Sequence, residues 1–184
     1  GYSGGVDSSY LALIATECLK EHALIVLADS PSLARREMKA ATELAARFGF
    51  NLRIIQPREE DNPDYNANPE NSCYFCKGEL FRDLERIRSA EGFTAVLDGS
   101  NADDAADIRP GRDAARELGV QSPLLEIRLT KQQIRARSQA LGLPTWDKPS
   151  APCLASRVPY GIRISPELLS RIEAAEDVLL ELGL

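Results

Sequence analysis

Short apolar runs alternate along this chain with longer stretches of helical period, and that alternation predicts an α/β fold with an open, mainly parallel sheet flanked by helices. Leu24–Ala28, Leu52–Ile55, Ala95–Leu97 and Leu124–Ile127 read as strands, being mostly apolar and too short for helices. Leu11, Ile14 and Cys18 share one face of a first helix, where Cys18 has the spacing of a core residue. Ala34, Met38, Ala41, Ala45 and Phe48 recur at helical spacing and stop at Gly49, and Leu80, Leu84 and Ile87 mark a further helix. Thr130 is a candidate N-cap. Ser165-Pro166 opens a last helix with Leu168, Ile172, Ala175 and Leu179 on one face.

Two stretches lack periodicity. Residues 56–72 are rich in Pro, Asn, Asp and Glu, and residues 144–164 hold four of the eleven prolines. Loops of this length are usually functional. No internal repeat is present, and 184 residues with 43% hydrophobic content suit one domain. No apolar run approaches the ~20 residues of a membrane span. Gly1 to Gly5 shows none of the basic-then-apolar pattern of a signal peptide, so the expectation is a soluble cytoplasmic protein with no membrane partner. A formal net charge of -6 speaks against nucleic acid as the main partner, leaving room only for a local basic patch. The four cysteines, Cys18, Cys73, Cys76 and Cys153, have little use as disulfide staples in such a chain and point to metal or sulfur chemistry.

The segment Ser3-Gly4-Gly5-Val6-Asp7-Ser8-Ser9 runs straight into the first helix. Glycines let backbone N–H groups approach phosphate oxygens, and a helix N-terminus adds partial positive charge. Ser3 and Ser8 supply hydroxyls, and Asp7 could help hold a Mg²⁺ that bridges phosphates. No Lys closes the loop, so it is not the loop of enzymes that cleave ATP at the γ-phosphate. It resembles the SGGxDS loop of the PP-loop ATP pyrophosphatases, which bind the pyrophosphate part of ATP. Such loops normally follow a strand. With the motif starting at residue 3, residues 1–184 read as a fragment of that domain lacking its first strand. Asp29 and Ser30 end the next strand, where they could meet the adenosine or serve only as a turn.

Cys73-Tyr74-Phe75-Cys76 stands immediately before a helix, where thiolates are favoured, and Cys153 lies in the second long loop. Three thiolates fall short of a structural zinc site. They suit a cluster with one open iron. The only histidine, His22, sits at the far end of the first helix and reads as a solvent-facing or satisfied residue. Asp98-Gly99-Ser100-Asn101-Ala102-Asp103-Asp104, Arg109-Pro110-Gly111, Ser122-Pro123-Leu124, Leu143-Pro144-Thr145-Trp146-Asp147-Lys148-Pro149 and Cys153-Leu154-Ala155-Ser156-Arg157 follow in order. Together with the phosphate loop they resemble the LarE family, ATP-dependent sulfur transferases of nickel-pincer nucleotide biosynthesis for lactate racemase. The resemblance covers nearly the whole chain.

What the resemblance implies is adenylation of the carboxylates of pyridinium-3,5-biscarboxylic acid mononucleotide, a small-molecule partner, and their conversion to thiocarboxylates. It also implies a smaller C-terminal domain. In one type of the family a single cysteine gives up its sulfur, and Cys153 matches it. In the other, three cysteines hold a [4Fe-4S] cluster, and Cys73, Cys76 and Cys153 match those. The cluster is the favoured reading, with ATP and Mg²⁺ as the other cofactors, the sulfur donor left open and a homo-oligomer expected. Arg157 and Arg109 are placed against phosphates, Lys77 toward the pyrophosphate, and Asp98, Gly99, Asn101 and Asp104 toward nucleotide or Mg²⁺. For each of these a surface ion pair or turn role is the plain alternative. A PP-loop tRNA-thiolating enzyme and an ATP-binding sensor without chemistry stand as competing functions. The acidic charge and motif order count against the first, the paired cysteines against the second.

Overall fold

The structure, a computed structural model, describes residues 1–106 and 110–183. In chain order the elements are α1 (Val6–Leu19), β1 (Ile25–Ala28), α2 (Arg35–Arg47), β2 (Leu52–Ile55), α3 (Pro63–Asn66), α4 (Ser72–Glu91), α5 (Pro110–Glu117), α6 (Pro123–Glu126), α7 (Lys131–Ala140) and α8 (Pro166–Glu181). β1 and β2 pair in parallel, with Ile25 opposite Leu52 and Ala28 opposite Ile55. On the other side of β1, Tyr2 bridges Leu27 in parallel, and its N–H donates to Val26 O at 2.8 Å. The Gly1 nitrogen donates to Leu97 O at 2.6 Å, and Leu97 in turn bridges Gln121 in parallel. The order across the sheet is therefore β2, β1, Tyr2, Leu97, Gln121. The strand order reverses between Tyr2 and Leu97, which makes that gap the topological switch point of an open α/β sheet.

β1 alternates between two cores, as a buried strand must. Ile25 and Leu27 pack with Leu11 and Leu13 of α1 and Ala41, Leu44 and Ala45 of α2. Val26 packs on the opposite face with Phe81 and Leu84 of α4 and Ala114 and Ala115 of α5. A third cluster joins Ala34 and Tyr65 to Leu154, Val158, Ile164 and Leu169, seating the second long loop and α8 against the first long loop.

Local signals set several boundaries. Thr130 accepts from the Gln133 N–H and Gln133 returns the bond, a capping box that starts α7. Ser165 caps α8, and Gly49 stops α2 with φ +66°. Five expectations need correction. Ala95–Leu97 is not a strand among the described residues and joins the sheet only through the single Leu97–Gln121 bridge. Leu124–Ile127 is not a strand but lies in and just beyond α6, because Pro123 has no N–H to give a ladder and a φ suited to the first helical turn. Cys73–Cys76 lies inside α4 rather than before it. Cys18 is exposed, since α1 outruns the elements that cover it. In α8 the buried residue is Leu169, while Leu179 is 48% exposed.

Candidate active site

The loop after Tyr2 and the turn after Leu97 meet at the switch point with a glycine on each. Gly4 has φ +70°, and a Cβ there would lie 2.7 Å from Ala41 Cβ of α2. A Cβ on Gly99 would lie 3.0 Å from the Ser8 nitrogen and 3.3 Å from the Asp7 carbonyl carbon. Glycine thus lets the loop pack this closely on α2 and the turn pack this closely on the start of α1. Ser8 braces the loop: its Oγ accepts from Ser3 N at 3.2 Å, lies 3.0 Å from Ser3 Oγ and donates to Gly5 O at 3.3 Å. Gly5 is the N-cap of α1 and no side chain caps it. The first-turn N–H groups are thus left to whatever binds, and the helix dipole makes an anion the matching ligand.

Asp7 sits in that first turn. Its Oδ1 is buried without a hydrogen-bond partner, and its Oδ2 pairs with Lys131 Nζ. An orphaned carboxylate oxygen beside an anion site fits a hard divalent cation, which takes oxygen ligands. Lys148 Nζ donates to Gly4 O at 3.1 Å and pairs with Glu37 at 2.6 Å.

Other residues named from the sequence are committed to shaping the walls. Asp98 accepts from Ser100 N at 3.2 Å, Ser100 Oγ at 2.8 Å and Ser122 Oγ at 2.6 Å. Asn101 is buried, its Oδ1 accepting from Asp103 N and its own N–H donating to Asp104 Oδ2, both at 2.9 Å. Asp29 pairs with Arg35 at 2.5 Å, and the buried Ser30 hydroxyl lies 2.7 Å from that of Ser32. Arg157 pairs with Glu176 at 2.5 Å and donates to Pro152 O at 2.8 Å and Cys153 O at 3.2 Å, so it orders the cysteine loop. Arg109 lies outside the described residues.

Cys73 and Cys76 stand in the first two turns of α4, and the chain brings Cys153 to them from the far loop. All three are free thiols. Burial pushes the Cys73 thiol up, the Cys153 thiolate adds to this, and Lys77 opposes it. Burial pushes Cys76 up to about 12, with the Glu59 carboxylate and then the neighbouring cysteines contributing against Lys77. Lys77 therefore lies among the thiols, its ammonium 5.7 Å from the Phe81 ring centroid. Glu59 is 2% exposed, and burial raises its carboxyl while the Ser30 hydroxyl lowers it. Three thiols within one another's field match in kind the donors of an iron–sulfur cluster. Among the described residues no three His, Cys, Asp or Glu side chains stand close enough to hold a metal ion as they are.

Comparison with known proteins bears on this geometry. No family model matches the chain. An uncharacterized protein of Synechocystis sp. is 48% identical over 182 residues, covering 99% of this chain and 68% of that protein. Pyridinium-3,5-bisthiocarboxylic acid mononucleotide synthase of Lactiplantibacillus plantarum is 32% identical over 183 residues, covering 99% of this chain and 66% of the synthase. The chain belongs to that synthase family, LarE. Among solved structures, NMN synthetase from Francisella tularensis superposes with a TM-score of 0.66 at 19% identity, over 96% of this chain and 75% of that one. That likeness places the LarE chain in the PP-loop fold.

Sequence reasoning on this LarE chain missed Lys131, Lys148 and Glu59. Two of them put ammonium groups on a phosphate loop that carries no lysine of its own. Lys131 stands one residue after a recognisable N-cap and Lys148 inside a motif, but neither position signals its distant partner.

Proposed function

We propose that this chain uses ATP to adenylate the carboxylates of pyridinium-3,5-biscarboxylic acid mononucleotide and then exchanges each adenylate for sulfur, yielding the thiocarboxylates. The observation that carries the reading is the uncapped α1 N-terminus at the switch point, closed in by Gly4 and Gly99, in a chain of the LarE family. A substrate carboxylate oxygen attacks the α-phosphorus of ATP, and the bond to the β-phosphate oxygen breaks. The first-turn N–H groups of α1 and the Ser3 hydroxyl receive the negative charge that develops on the departing pyrophosphate. Asp7 would hold Mg²⁺, which when bound neutralises phosphate charge. A sulfur nucleophile then attacks the acyl carbon, and AMP leaves with the former carboxylate oxygen. Cys73, Cys76 and Cys153 would hold a [4Fe-4S] cluster, which when bound supplies a transferable sulfide. A cluster spreads its thiolates over several irons, so thiols too separated to grip one ion suit it better than a mononuclear site. Arg157 fixes the carbonyls of Pro152 and Cys153, and Lys77 opposes the effect of burial on the Cys73 and Cys76 thiols.

The test is product analysis with protein, Mg²⁺-ATP and the pyridinium substrate. AMP and pyrophosphate are expected. ADP and orthophosphate as the products would remove the reading.

A further inference from the structure

The two oxygens of Asp7 are treated differently. Oδ2 is held by Lys131, while Oδ1 is buried and has no partner. The Lys131 backbone is anchored independently of its side chain: its N–H donates to Asp103 Oδ2 at 2.8 Å, and it is the first residue of a helix with its own capping box. Its side chain is 41% exposed against 19% for Asp7, so a solvent-accessible ammonium lies over a carboxylate set deeper in the wall of the site. Lys148 differs. It is 20% exposed and already balanced by Glu37, a carboxylate outside the phosphate loop.

We infer that Lys131 is a positioning residue that changes partners on ATP binding, neutralising Asp7 in the empty loop and turning to the pyrophosphate end of ATP when a divalent cation takes Asp7. This rests on the phosphate-loop reading above. A divalent cation on the free Oδ1 draws charge from the carboxylate and repels the ammonium on Oδ2, so the pair with Lys131 weakens when the cation binds. The released ammonium stands beside the first-turn N–H groups of α1, where phosphate oxygens gather, and a charge-assisted hydrogen bond to them replaces the one it lost. The empty site thus carries no bare buried carboxylate, and the filled site gains a cation on the leaving group.

The exchange predicts effects of opposite sign from one substitution. In Lys131→Met, Mn²⁺ binding to the nucleotide-free protein, read by electron paramagnetic resonance, tightens by about threefold to tenfold, because its competitor is gone. Pyrophosphate binding in Mg²⁺, read by calorimetry, weakens by about tenfold or more. Lys131→Arg keeps both constants near wild type. If both constants weaken together in Lys131→Met, or neither moves, the lysine is only a structural ion-pair partner and the exchange is wrong. Wild-type protein that binds neither ATP nor pyrophosphate would instead overturn the phosphate-loop reading itself.

Discussion

The packing of α2 against the phosphate loop makes Gly4→Ala a severe change for a single methyl group. The new Cβ meets Ala41 Cβ at 2.7 Å and Ala41 Cα at 3.3 Å, on a backbone held at φ +70°. The left-handed conformation costs about 1–2 kcal/mol in a residue with a Cβ. Overpacking adds about 1–3 kcal/mol. The lower entropy of the unfolded chain returns about 0.4–1 kcal/mol. The net loss is about 2–4 kcal/mol, because Ala41 is 1% exposed and α2 is pinned there by the Tyr2 hydroxyl, which donates to Ala41 O at 3.0 Å. Urea unfolding with an unchanged slope measures it, and ATP affinity falls in parallel because the loop must shift to relieve the contact. Ala41→Gly in the same chain removes the closest atom while leaving the backbone strain. The double variant should therefore recover about 1–2 kcal/mol relative to the sum of the two single changes. Strict additivity, or Gly4→Ala that melts and binds ATP like wild type, would refute the packing argument.

Two further outcomes follow from the buried polar groups. Because burial raises the Glu59 carboxyl above its ordinary value of 4.5, the stability tied to it is complete below that value and is lost as pH rises through the raised one. Glu59→Gln should then melt about 2–4 °C higher at pH 8 and no higher at pH 4, and a gain equal at both values would contradict the sign. For the thiols, serine in place of Cys73, Cys76 or Cys153 should remove iron and sulfide from anaerobically purified protein and stop sulfur transfer while leaving ATP binding within about twofold of wild type, since the phosphate contacts lie on another loop. Transfer lost only in Cys153→Ser, with iron-free Cys73→Ser and Cys76→Ser active, would establish Cys153 as the sulfur source instead.

What could be read from the chain was what local chemistry decides. Ile25–Ala28 and Leu52–Ile55 lie in strands where their apolar runs placed them, and Thr130 and Ser165 cap the helices they precede. Ser3 to Ser9 reads as a candidate anion site because its glycines, hydroxyls and helix start are adjacent in sequence, and the helix it opens has no side-chain cap. Leu124–Ile127 misled for an instructive reason: an apolar run reports burial, and Leu124 is indeed 4% exposed, but Pro123 decides the element. Cys18 and Leu179 misled because period gives the face of a helix, not how far along it neighbours extend. Lys131 and Lys148 were beyond reach, since their loop contacts span 124 and 144 residues and are set by the path of the chain.

That path also explains how two separated chemistries come to share one segment. Lys148 ties the second long loop to Gly4 of the phosphate loop, and Leu154 ties it to Ser32 O at 2.8 Å, just past the end of β1. Cys153 is five residues after the first anchor and directly before the second. A backbone of that length reaches at most about 17 Å, so Cys153 cannot drift far from Lys148 and the Gly4 loop it holds. Arg157 and Glu176 then fasten the same segment to α8, and Arg36 fastens α8 to α2, whose Ala41 abuts Gly4. Gly4, α2, α8 and the cysteine loop thus form one series of contacts, which gives a shift of the loop at Gly4 a direct path to Cys153.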